Sequence, residues 1–182
     1  MNYEIDVACH CDCDIDTQVI HDAIEHGLRV EGVEAAVLSI SIVDNPTIHR
    51  LNREHLQHDY PTDVISFQLD WSSAESVEPP VLPEGRAAGA SIEGEVVVSA
   101  QYAAEMAPQC GWSSENELTL YAVHGMLHIC GYDDLTPSEK EIMRAREKSV
   151  LSGLGLSPHY PNLTNTNADQ IADDDPPSEG LH

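Results

Sequence analysis

Basic residues are scarce in this chain. Eight Lys and Arg stand against 32 Asp and Glu in 182 residues, a net charge of −24. Such a surface repels bulk nucleic acid and anionic membrane, which excludes indiscriminate binding of either. Aromatic residues are few, with a single Phe, so the core must be largely aliphatic. No apolar run approaches the ~20 residues that a membrane-spanning helix needs. The opening MNYEIDVACH has neither the basic n-region nor the apolar h-region of a secretion signal. A cytoplasmic protein with no membrane association is therefore expected. The five cysteines are odd in number and lack a C-x-x-C pair, which argues against a disulfide framework or a zinc ribbon.

What is present suggests one domain with a tail. Residues 15–31 carry apolar side chains at helical spacing, and 35–43, AAVLSISIV, are β-branched and partly alternating, as in a strand. Asp44 and Pro46 mark a helix start, 63–69 read as a second strand, and 94–100, GEVVVSA, as another. Between these strands, 70–92 are rich in Ser, Pro, Gly, Ala and Glu and read as an inserted loop or loose hairpin. A short helix is expected from about residue 100 to before Gly111. The next is better marked: Ser114 and Glu117 form an S-x-x-E capping box, and Gly131 stands at the exit. Thr136, Pro137 and Glu139 open a last helix, to about Leu151. The order predicts an α+β fold: a single domain over 1–157, with a small mixed sheet of about four strands covered by helices. Residues 158–182 read as an acidic disordered tail.

Charge is unevenly spread. Residues 161–182 hold five acids and no Lys or Arg, yet most of the negative excess lies in the domain itself. Four of the eight cations, Lys140, Arg144, Arg146 and Lys148, fall on the last predicted helix. An anionic partner would meet the protein there. Cys9, Cys11 and Cys13 alternate in CHCDC and could face a soft metal together. With no fourth ligand evident, the segment is taken as a strand end entering a loop.

The chemistry concentrates in HGMLHICGYDD, 124–134. His124 and His128 are four apart on a capped helix, so both imidazoles face one way and can chelate one cation. Gly131 allows a sharp exit, and Asp134 follows three residues later, a metzincin-like spacing with Asp as third ligand. Asp133 competes for that role, or serves an Asx turn. The position after the first His, where a metalloprotease has its Glu base, is Gly125.

The stretch resembles the H-G-x-L-H-L-x-G-Y-D-H signature of the YbeY-type rRNA maturation endoribonucleases. LNREHLQHDYPTDVISF, 51–67, and GEVVVSA, 94–100, resemble two further blocks of that family, and the likeness spans about 36–152. The resemblance implies a metal-dependent, single-strand-specific endoribonuclease in ribosomal RNA 3′-end processing and ribosome quality control. Its partners would be single-stranded ribosomal RNA and the ribosome or small-subunit proteins. It also implies that His124, His128 and Asp134 occupy the positions of the family's three metal-binding histidines. Asp134 is thus a departure. Zinc is expected, and the oxygen donor admits Mn2+ or Fe2+. A second departure is Leu56, where the family usually has an arginine; Arg53, one turn earlier, is a candidate substitute, as are His55 and His58, against roles of Arg53 and His58 as solvated surface groups. The 140–148 helix is another source of positive charge. Thr62, Asp63 and Ser66 suit turn and cap bonding in a loop near the metal. No general base is identified. Two other functions stay open: a ribosome-assembly binding module with a structural metal, and a metal-dependent hydrolase of another substrate.

Overall fold

The computed structural model describes residues 1–73 and 85–160. Four strands form one mixed sheet: β1 (Asn2–Cys9), β2 (Ala35–Val43), β3 (Val64–Ser73) and β4 (Ala90–Ser99), in spatial order β1-β2-β4-β3. β1, β2 and β4 run parallel, with Ile5 opposite Leu38 and Ile40 opposite Val96. β3 is antiparallel to β4, with Ser66 opposite Val96. The register slips between Gln68 and Asp70, a bulge that leaves Leu69 exposed.

β1 departs from the expected order, which began with a helix. Its alternation is modest because this edge strand keeps Glu4 and Asp6 in solvent while Tyr3, Ile5 and Val7 only partly pack on the core. Of the two readings of the 70–92 insert, loop or loose hairpin, its described ends follow the second. β3 continues to Ser73 and β4 begins at Ala90, so both ends of the 70–92 segment are hairpin arms.

Five α-helices follow the expected pattern closely: α1 (Thr17–Val30), α2 (Asn45–Leu51), α3 (Ala100–Cys110), α4 (Ser114–Ile129) and α5 (Pro137–Gly153). Asp44 Oδ1 caps α2 through the Thr47 N–H, and Thr136 Oγ1 caps α5 through the Glu139 N–H. The start of α4 differs. Ser113, not Ser114, is the cap, accepting from the Asn116 N–H at 3.2 Å. Glu117 is therefore free of the expected capping box and turns inward.

One sheet face, with Leu38, Ile40, Ile42, Ile92, Val96 and Val98, packs against α1 and α4. Ile20, Ile24 and Leu28 of α1 are fully buried there, each contributing about 1.5–3 kcal/mol of burial. The opposite face has a smaller cluster in which Ile48 of α2 meets Val43, Ile65 and Val97. α4 is the central helix, flanked by α1, α3 and α5 and lying on β3 and β4. A Cβ on Gly125 would stand 2.5 Å from Val96 Cγ1 and 2.9 Å from Val64 Cγ2. Only glycine lets this helix approach the sheet so closely. Tyr160, in the stretch expected as tail, packs against the core. The rest of the expected tail, 161–182, lies outside the described residues.

Candidate metal centre

α4 presents His124 and His128 on one face, in its last turns. At its end Gly131, at φ +87°, turns the chain back, a conformation that favours glycine. The turn is held from several sides. Arg86 donates to the Gly131 carbonyl at 3.0 Å, pairs with Glu139 at 2.8 Å and stacks over the Tyr132 ring. The Tyr132 hydroxyl donates to Glu31 Oε2 at 2.8 Å, and Arg146 donates to Glu31 Oε1 at 2.9 Å. Glu31 is wholly buried, so this charge depends on its partners. None of these anchors was foreseen, and Arg86 lies in the stretch taken as an insert.

The turn delivers Asp134 beside the histidines. Its Oδ2 and Oδ1 lie 4.0 Å from His124 Nε2 and 3.9 Å from His128 Nε2, and the two Nε2 atoms are 2.9 Å apart. Asp133 Oδ1 accepts from the Asp134 N–H at 2.8 Å, a local side-chain-to-backbone bond within the turn.

The other imidazole nitrogens are also engaged. His128 Nδ1 lies 3.0 Å from the Tyr132 carbonyl oxygen. A carbonyl only accepts, so Nδ1 carries the proton and Nε2 keeps its lone pair. His124 Nδ1 lies 2.6 Å from Glu147 Oε1, which fixes that ring in the same way. Two Nε2 lone pairs thus face each other, an arrangement that calls for a cation or a proton between them. With a carboxylate alongside, the donor set fits a divalent metal ion. Burial lowers the His124 pKa, but the bond to Glu147 and the charges of Glu147, Asp63 and Asp134 outweigh it and leave it raised. Burial and the neighbouring His124 hold His128 below its ordinary value.

A cavity of about 240 Å³ opens beside the centre. His124 and Asp134 line it with Asp63, Glu117 and Glu147, the cations Lys140 and Arg144, and the rings of Tyr102, Tyr121 and Tyr160. The Tyr160 hydroxyl donates to Glu147 Oε2, and Arg144 lies over the Tyr160 ring. Glu117 is 4% exposed, its Oε2 has no hydrogen-bond partner among the described residues, and burial raises its pKa. The Thr62–Asp63 pair makes the expected turn bonds, with Asp63 Oδ1 accepting from the Val64 N–H at 2.9 Å, and the loop does border the site. Arg53 is not among the lining residues. It is exposed, in a π-type turn over Asn52–Leu56, with its guanidinium 4.0 Å from Asp59.

Fold and site together define the class: a small α+β domain with a two-histidine, one-carboxylate cluster at the end of its central helix. The chain belongs to the endoribonuclease YbeY family, whose model matches residues 8–155. It is 37% identical over 149 residues to an endoribonuclease YbeY of Salinibacter ruber, covering 82% of this chain and 90% of the relative. It is 41% identical over 138 residues to that of Carboxydothermus hydrogenoformans, covering 76% and 85%. The fold also resembles the solution structure of TM1509 from Thermotoga maritima, with a TM-score of 0.52, 20% identity and coverage of 83% and 91%. The family match begins well before residue 36, where the sequence resemblance was judged to start.

Proposed function

We propose that the protein is a metal-dependent endoribonuclease that cuts single-stranded ribosomal RNA, in 3′-end processing and ribosome quality control. It would act in the cytoplasm, on RNA presented by the ribosome. The observation that carries this is the convergence of His124, His128 and Asp134 at a cavity that also holds Lys140 and Arg144. His124, His128 and Asp134 would hold the ion, zinc first, with Mn2+ or Fe2+ admitted by the Asp134 oxygen. When bound, the ion acts as a Lewis acid toward a phosphodiester.

The chain's own residues do the rest. Glu147 and the Tyr132 carbonyl hold the protons at Nδ1, leaving both Nε2 atoms free to bind. Lys140 and Arg144 supply positive charge to a phosphate, the task expected of Arg53 or of this helix. Glu117, with its raised pKa, is placed to hold or release a proton on the cavity wall.

A peptidase reading loses support, because the backbone of Gly125 aims its missing side chain at Val96 and Val64 rather than at the cavity. A purely structural metal is disfavoured because, among the described residues, three protein donors meet beside an open cavity. The test is cleavage of a single-stranded RNA by metal-loaded protein and by His124→Ala. Loss in the variant is expected, and equal activity would reject the site as catalytic.

A further inference from the structure

At the end of β1 the chain turns back on itself. The His10 N–H still donates to the Ile42 carbonyl at 2.8 Å, continuing the pairing with β2, and then the Cys13 N–H donates to the Cys11 carbonyl at 3.1 Å. In an extended strand, residues two apart on one face are separated by roughly 6–7 Å. The turn draws them much closer. The sulfurs of Cys9 and Cys13 lie 3.1 Å apart, those of Cys11 and Cys13 3.5 Å, and those of Cys9 and Cys11 3.9 Å. The strand end expected to be inert is a triangle of three free thiols, partly packed on the core and open to solvent on one side.

We propose that Cys9, Cys11 and Cys13 form a thiolate site for a thiophilic d10 cation, zinc(II) or copper(I), separate from the centre on α4. The spacing suits such an ion. A cation at the usual zinc–sulfur distance of about 2.3 Å from all three would sit about 1 Å off their plane, which leaves a fourth position open. A recess of about 370 Å³ adjoins the cluster, and Asp12, Asp44 and Gln101 on its wall offer oxygen donors. Soft sulfur ligands select such cations over magnesium or calcium. Binding displaces the thiol protons, and the strongly negative chain favours any cation over an anion here. A single disulfide would satisfy two sulfurs and strand the third, whereas one cation satisfies all three.

The test uses reduced, metal-stripped full-length protein, loaded with zinc(II) or, without oxygen, with copper(I). Bound metal is compared with that of a variant carrying Cys9→Ser, Cys11→Ser and Cys13→Ser. Alkylation of each cysteine is followed by peptide mass, with Cys110 as the internal reference. The variant should hold one ion fewer per chain than the wild type. In the wild type, one of the two cations should slow alkylation of the three thiols by about tenfold or more, reversibly on chelation. That protection should persist in the His124→Ala, His128→Ala double variant, which separates this site from the one on α4. Unchanged alkylation with both cations would overturn the proposal even if the serine variant fails to fold. Equal metal content in variant and wild type, or a Cys9–Cys13 disulfide that blocks alkylation without metal, would overturn it too.

Discussion

Glu147 sits on α5, 23 residues beyond His124 in the chain, yet its Oε1 lies 2.6 Å from the His124 Nδ1. It is only 3% exposed, so α5 is the wall that orients the imidazole on α4. Replacing Glu147 with Gln keeps an acceptor but removes the charge. Metal affinity should fall by about 10–100-fold, as read by competition with a chromophoric chelator, with the helical content unchanged. Wild-type affinity in the variant would show that the contact does not tune the centre.

Asp134 and Asp133 separate cleanly. Asp134→Ala should weaken metal binding by more than about tenfold, whereas Asp133→Asn, which retains the turn-forming oxygen, should keep full metal content. Asp134→His should move preference toward zinc over manganese. Metal analysis after loading with equimolar mixtures checks all three.

Gly125 is a packing requirement. Gly125→Ala forces a methyl against Val96 and Val64 and should lower unfolding free energy by about 1–3 kcal/mol in urea. Combining it with Val96→Ala should recover part of that loss, although Val96→Ala alone leaves a cavity. Strict additivity of the two would contradict the predicted contact.

Most of the helical frame could be read locally, because caps and apolar periodicity are local signals. Asp44, Thr136 and Gly131 behave as their residue types dictate. The two histidines and the carboxylate were also legible, since helix geometry fixes the first pair and glycine the exit. The supporting shell was not. Glu147 lies on a helix rich in charge, where a carboxylate ordinarily faces solvent, and only the packing of α5 on α4 buries it. Arg86 and Glu31 meet Tyr132 through contacts 46 and 101 residues apart, which no local pattern encodes. The three cysteines were legible as a possible soft-metal group but lacked an evident fourth ligand or a C-x-x-C pair; their close approach depends on the turn at Cys11–Cys13, which no local pattern announces.

The Glu31–Arg146 pair should be costly to break. Arg146→Met leaves a fully buried carboxylate with, among the described residues, only the Tyr132 hydroxyl and should destabilise the fold by about 3–5 kcal/mol. Urea unfolding measures this. A loss below about 1 kcal/mol would mean that the carboxylate reaches water.

Glu117 gives a pH signature. Its folded-state pKa is raised above the ordinary 4.5 by burial, with Asp63 adding. Its favourable contribution is therefore complete below that value and is lost as pH rises through the raised one. The unfolding free energy of Glu117→Gln, relative to wild type, should climb as pH increases from about 4.5 toward neutrality. Parallel curves for the two proteins would contradict a raised carboxyl.

The close seating of α4 on β4 also bears on how this centre can diversify. A metal-bearing helix with paired histidines is elsewhere converted to peptide hydrolysis by a glutamate after the first histidine. Here that position points into the valines of the sheet. Acquiring such a base would require lifting the whole helix off its support, not exchanging one side chain, so a proton carrier for this centre has to come from another element.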